Sequence, residues 1–168
     1  MGLATTSLID FNELLLSELI SKDVLTVYEG WSIKKLASFF VKHHISGAPV
    51  IAADNELVGV VTQSDVVAFE SRTPSEDEIK KMLYDICGPN SEVSNTLDLQ
   101  RLQEKANEYC TANSIMTHEV MSVDIATDMK DVCKFIVERN IHRLFVTENN
   151  RLVGVVSAMD ILKRLIKT

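Results

Sequence analysis

The sequence predicts a mixed fold of class α/β (α+β), built from two β-α-β-β-α repeats, and three observations predict it. The stretch ELVGVVTQSDVV from Glu56 to Val67 returns as RLVGVVSAMDIL from Arg151 to Leu162, displaced by 95 residues. Upstream, VLTV at Val24–Val27 returns as VMSV at Val120–Val123, displaced by 96. Within each copy the hydrophobic period switches between helical and strand-like in the same order, the signature of a duplicated supersecondary unit. The one-residue difference belongs in the turn before the shared strand, AADNE in the first copy and TENNR in the second, since turns absorb single residues at little cost.

Four segments follow from this reading: a helical N-terminal segment 1–20, a first repeat 21–70, a helical insert 71–113 and a second repeat 114–168. Asp10 to Ile20 reads as an amphipathic helix. In the first repeat Ile33, Leu36, Ala37, Phe40 and Val41 form a helical apolar stripe, and Met129, Val132, Cys133, Ile136 and Val137 repeat it in the second. Ser32 is placed to cap the first of these helices, and Thr127 or Asp128 the second. APVIA or LFVT, then an Asp-Asn or Asn-Asn turn, then LVGVV make a hairpin signal in each copy, because Asn and Asp tolerate the left-handed backbone of tight turns. The apolar runs Leu57–Val61 and Leu152–Val156 read as central, buried strands. A second helix closes each copy, Asp65–Glu70 and Met159–Lys167. In the insert, Ser75 and Glu78 form a capping box, Gly88-Pro89 is a stop, and a further helix runs from Leu97 to about Cys110. One such repeat buries too little surface to stand alone, which two copies solve by packing sheet on sheet about an approximate two-fold axis.

Composition narrows the function. The chain is 46% hydrophobic and 24% charged with a net charge of −7, a soluble profile that disfavours a broad nucleic-acid face. Cys87, Cys110 and Cys133 are far apart and show no C-x-x-C spacing, which reads as a reduced, cytoplasmic protein. The start carries no positively charged leader, and no apolar run is long enough for a membrane span. The sequence offers no nucleophile-base pair, metal-ligand cluster or Gly-rich phosphate loop, so the expectation is a non-enzyme without catalytic residues, metal or required cofactor.

Several polar residues carry two readings each. Asp65 and Asp160 open a helix after the shared strand, where they either cap it or accept a pair of ligand hydroxyls. Thr62 and Ser157 end that strand as caps, or as contacts to a ligand beside helix N–H groups that favour anions. His142 and Arg143 precede a strand where the first copy has Ser46 and Gly47; they are solvated surface residues, or a basic spot whose guanidinium fork suits phosphate. Gly59 and Gly154 interrupt apolar strands, which marks close backbone approach.

The paired GVVTQSD at Gly59–Asp65 and GVVSAMD at Gly154–Asp160 resemble the G-h-h-[ST]-x-x-D signature of CBS domains, the modules named after cystathionine β-synthase. Ile115-Met116-Thr117 resembles the family's strand opener, and Ile141-His142-Arg143-Leu144 resembles a segment of the γ subunit of AMP-activated protein kinase. The resemblance covers about two-thirds of the chain. It implies a Bateman module whose inter-repeat clefts bind an adenosine-type ligand such as AMP, ADP or ATP, and which signals by conformational change. It further implies ligand contacts from Thr62, Asp65, Thr117, Ile141, His142, Arg143, Ser157 and Asp160, a homodimer in a flat disc, and a regulated protein partner. The rival expectation is a ligand-free dimerisation or protein-docking scaffold.

Overall fold

The computed structural model describes residues 14–88 and 96–166. A single helical turn, α1 (Leu16–Leu19), precedes strand β1 (Val27–Tyr28), helix α2 (Ile33–His43), the hairpin of β2 (Gly47–Ile51) and β3 (Leu57–Thr62), and helix α3 (Gln63–Glu70). The insert contributes α4 (Glu76–Cys87), α5 (Thr96–Glu104), α6 (Ala106–Tyr109) and α7 (Ala112–Ile115). The first series then returns as β4 (Ser122–Asp124), α8 (Met129–Glu138), β5 (Arg143–Glu148), β6 (Arg151–Ser157) and α9 (Ala158–Ile166). Contacts group the chain into two units: Leu25–Val120, and the residues up to Val24 together with those from Met121 onward.

The duplicated sequence makes duplicated local structure. The stripes predicted for α2 and α8 are buried as Ile33, Leu36 and Phe40 in one and Met129, Val132 and Ile136 in the other. Each helix ends on a left-handed residue, His44 at φ 53° or Asn140 at φ 50°, after which an isoleucine N–H donates back to the helix. Ile45 donates to the Phe40 carbonyl at 3.2 Å and Ile141 to the Ile136 carbonyl at 3.1 Å, which satisfies an otherwise orphaned acceptor. Ser32 Oγ accepts from the Lys35 N–H at 3.3 Å as predicted. Asp128 stands at the cap position of α8, but its side chain makes no capping hydrogen bond.

Each unit holds a three-stranded sheet, ordered β1-β2-β3 and β4-β5-β6, with a parallel crossover pair and an antiparallel hairpin. This corrects the sequence expectation for the apolar runs. The central strands are β2 and β5, whereas β3 and β6 lie at the margin and are half-buried at alternate positions. Their runs are apolar because their outer edge is covered as well: Val60 bridges Thr117, and Val155 bridges Ser21. The extra residue of the first copy sits in the turn between β2 and β3, whose Asn55 has φ 68°, while Asn149 and Asn150 (φ 50° and 63°) turn the second hairpin in two residues.

The terminal and inserted segments depart from the prediction. Of the expected helix Asp10–Ile20, residues 14–20 are described and only the turn α1 is helical, since Leu15 and Ile20 on either side are extended; Leu16 is buried against the α8 core, and residues 10–13 lie outside the described residues. The closing helices start earlier than expected, at Gln63 and Ala158, and Lys167 lies outside the described residues. The Ser75–Glu78 capping box forms, and Arg72 grips Glu78 with two hydrogen bonds of 2.8 and 2.7 Å. That guanidinium, helped by the Ser75 N–H, holds the Glu78 carboxyl down to about 2. The single helix expected over Leu97–Cys110 is broken at Lys105 into α5 and α6. Ala106 and Cys110 are drawn into the core of α2, where the Cys110 carbonyl accepts the Ile33 N–H at 3.1 Å, so tertiary burial overrides helical continuity. The insert expected to belong to neither repeat thus shares one core with the first, through Ile79, Met82, Ala106, Cys110 and Ala112.

Candidate functional site

In the Leu25–Val120 unit the marginal strand β3 runs straight into α3, and the junction carries the first motif. The Thr62 N–H and hydroxyl both donate to Asp65 Oδ2 at 2.7 Å, and the Asp65 N–H donates to Thr62 Oγ1 at 3.3 Å. The capping reading is therefore satisfied, yet with one carboxylate oxygen: among the described residues Asp65 Oδ1 has no hydrogen-bond partner. Gln63 ties this corner to the end of α2, its N–H donating to the Ser46 carbonyl and its Nε2 to the Ile45 carbonyl at 2.9 and 3.0 Å.

Beside it lies Thr117, whose backbone exchanges two hydrogen bonds of 2.9 Å with Val60. A Cβ on buried Gly59 would stand 2.5 Å from Met116 Sδ and 3.1 Å from the Thr117 carbonyl, so the opener reaches β3 because residue 59 has no side chain. Thr117, counted by sequence with the second repeat, is thus placed with Thr62 and Asp65.

The other unit repeats the arrangement with different side chains. The Ser157 N–H and hydroxyl donate to Asp160 Oδ2 at 2.9 and 2.5 Å, and the Asp160 N–H donates to Ser157 Oγ at 3.2 Å. Asp160 Oδ1 again has no partner among the described residues. The Ser157 hydroxyl, above all, holds the Asp160 carboxyl below the ordinary carboxylate range; its partial burial opposes this, and the Ser157 N–H, Lys163 and Arg143 add to it. Arg143 is the cross-strand partner of Ser157, so the two side chains leave the sheet on one face. His142 and Arg143 are exposed, and the His142 carbonyl accepts the Ala158 N–H at 3.1 Å. Ile141 is half-buried against the α8 core, and its N–H is spent on the helix end.

The opener here is Ser21, which exchanges hydrogen bonds of 2.8 and 3.0 Å with Val155 and was missed by sequence reasoning. Its signal was present: a displacement of 96 places Ser21 opposite Thr117. Two clefts of about 510 and 330 Å³ lie in the Leu25–Val120 unit against the insert, and neither is lined by any of these residues. Among the described residues no cluster of His, Cys, Asp or Glu is placed to hold a metal ion, and no helix is long and apolar enough to cross a membrane.

The CBS domain profile matches residues 16–72 and 112–167, both copies of the hairpin with its hydroxyl and acid. The chain belongs to the CBS domain family. Among curated relatives, an uncharacterized protein of Methanocaldococcus jannaschii is 28% identical over 157 residues, spanning 92% of this chain and 93% of its own. Several other relatives are longer, and the chain spans less than two-thirds of their length. Among solved structures, CBSX2 in complex with AMP, a CBS-pair protein of Arabidopsis thaliana, superposes with a TM-score of 0.59 at 18% identity, covering 91% of this chain and 96% of that one. The CBS domain pair of protein MJ0100, in complex with 5′-methylthioadenosine and S-adenosyl-L-methionine, gives 0.54 at 21% identity, covering 92% and 96%. At these identities the CBS-pair structures establish the fold, a mixed α/β pair of three-stranded sheets.

Proposed function

We propose that this chain is a non-catalytic regulatory module that binds an adenosine-type ligand beside each of its two motifs. One observation carries the reading: in both units the acid has one oxygen tied to the motif hydroxyl and the other without a partner among the described residues. A carboxylate held in this way presents a fixed acceptor to ribose hydroxyls at the N-terminus of a helix. Ribose falls to Asp65 and Asp160, with Thr62, Ser157 and Thr117 beside them, and phosphate to Arg143 with His142. No cofactor is required; the nucleotide is a regulatory ligand, and it acts by favouring one of two conformations of the module and so the state of a regulated protein. The relatives' ligands support this class, since AMP, 5′-methylthioadenosine and S-adenosylmethionine share adenosine. A thermal-shift screen of AMP, ADP, ATP, NAD and S-adenosylmethionine tests it: an adenosine compound at about 100 times its Kd adds about 2.7 kcal/mol and raises Tm by several degrees. A screen with no shift at millimolar ligand removes the sensor reading.

The ligand-free scaffold is the second reading, and the surface favours self-association in either case. Val41 and Val137, at matching places on α2 and α8, are 70% and 76% exposed, and Val67 and Leu162, matched on α3 and α9, are 65% and 49% exposed. Apolar residues exposed at repeated positions on helix faces suit a closed two-fold interface with a second copy. Light scattering at micromolar concentration is expected to give the mass of a homodimer, with Val137→Asp and Leu162→Asp together giving a monomer. A wild-type mass of one chain defeats the assembly.

A further inference from the structure

We infer that the two motifs take different classes of ligand: the Thr62–Asp65 site accepts an adenosine derivative whose 5′ group carries no phosphate, and phosphate-bearing ligands go to the Ser157–Asp160 site. The inference rests on the adenosine reading above and adds a selection between sites that it does not contain.

The two ladders differ at the register position of the motif hydroxyl. In one unit Arg143 pairs with Ser157; in the other Gly47 pairs with Thr62. Beside them, His142 is matched by Ser46. Gly47 does more than omit the charge. A Cβ built on it would lie 3.2 Å from Thr62 Cγ2 and 3.3 Å from the Val61 carbonyl, so the threonine methyl crowds the place where an arginine stem would begin. Ser157 has no such methyl, and Arg143 extends from the strand beside it. The pairs Arg-Ser and Gly-Thr are therefore two consistent solutions, one cationic and open, the other neutral and lined by a methyl group. A phosphate placed by Asp65 meets a carboxylate and no forked donor at this position, in a chain whose net charge is already −7. The loss of a charge-assisted hydrogen bond alone weakens such a ligand about tenfold or more.

Titration calorimetry of the full chain with AMP is expected to give one equivalent per chain. The AMP-saturated protein then takes up one further equivalent of 5′-methylthioadenosine. Asp65→Ala abolishes that further equivalent and leaves AMP affinity within about twofold of wild type. Asp65→Asn, which keeps an acceptor for the α3 cap, gives the same pattern with the melting temperature retained. Two equivalents of AMP of similar affinity, or a further equivalent that survives in both Asp65 variants, overturns the division of ligands. Uptake of neither compound overturns the adenosine reading itself. Gly47→Arg combined with Thr62→Ser is expected to raise AMP uptake to two equivalents; a folded double variant that stays at one overturns the selective role of Gly47.

Discussion

Replacing Arg143 with alanine is expected to weaken AMP binding about tenfold or more and to leave adenosine binding nearly unchanged. The expectation follows from position and chemistry together. Arg143 stands opposite Ser157 in the β5–β6 ladder, on the face from which Asp160 opens α9, and its exposed guanidinium is near enough to contribute to holding that carboxyl low. Forked donors to phosphate are worth about 1.5–3 kcal/mol in charge-assisted hydrogen bonds. Lysine at the same place keeps the charge but loses the fork, so Arg143→Lys falls between wild type and alanine. Asp160→Ala weakens AMP and adenosine alike, because ribose is common to both. Calorimetric titration of the three variants with both ligands decides the matter: wild-type AMP affinity in Arg143→Ala withdraws phosphate from this residue and favours the scaffold.

Gly154→Ala destabilises the fold more than Gly59→Ala. The added methyl on Gly154 meets the Ser21 carbonyl at 2.9 Å and Ile20 Cβ at 3.0 Å, which move only if the opener shifts off β6. Overpacking of this kind costs about 1–3 kcal/mol, against a gain of about 0.4–1 kcal/mol from the stiffer unfolded chain. The obstacles at Gly59 are instead the Met116 Sδ and Cγ at 2.5 and 2.9 Å, atoms of an unbranched side chain that can change rotamer, with the Thr117 carbonyl at a tight 3.1 Å. Denaturant unfolding followed by fluorescence of Trp31 and by circular dichroism measures both. Equal stability of Gly154→Ala and wild type means that the opener is not held against β6 in solution.

The repeated hairpin, its left-handed Asn turns and the stripes of α2 and α8 were legible because period and turn chemistry act locally. The hydroxyl and acid of each motif were legible because they sit three residues apart in one helical cap. What escaped was pairing at long range. Ser21 and Thr117 each cross to the hairpin that does not follow them in sequence, and nothing in a strand's composition names its partner. The same blindness misplaced β3 and β6 at the centre of their sheets: an edge covered by one bridge reads as apolar as a strand flanked on both sides. The break at Lys105 was hidden for a similar reason, since helical periodicity over Leu97–Cys110 is intact and only the pull of the α2 core on Ala106 and Cys110 interrupts it.

The crossing of the openers also sets an order of events during synthesis. Val60 and Thr117 lie within one uninterrupted stretch of chain, so that unit can close once its last residues have left the ribosome. Ser21 is made early and must wait for Val155, and a contact of such long range forms slowly. Until then Ser21 has no edge to bridge. A fragment cut at the repeat boundary inverts the problem, leaving a hairpin with a bare edge that another copy's opener fits as well as its own, which is the route to interlocked chains.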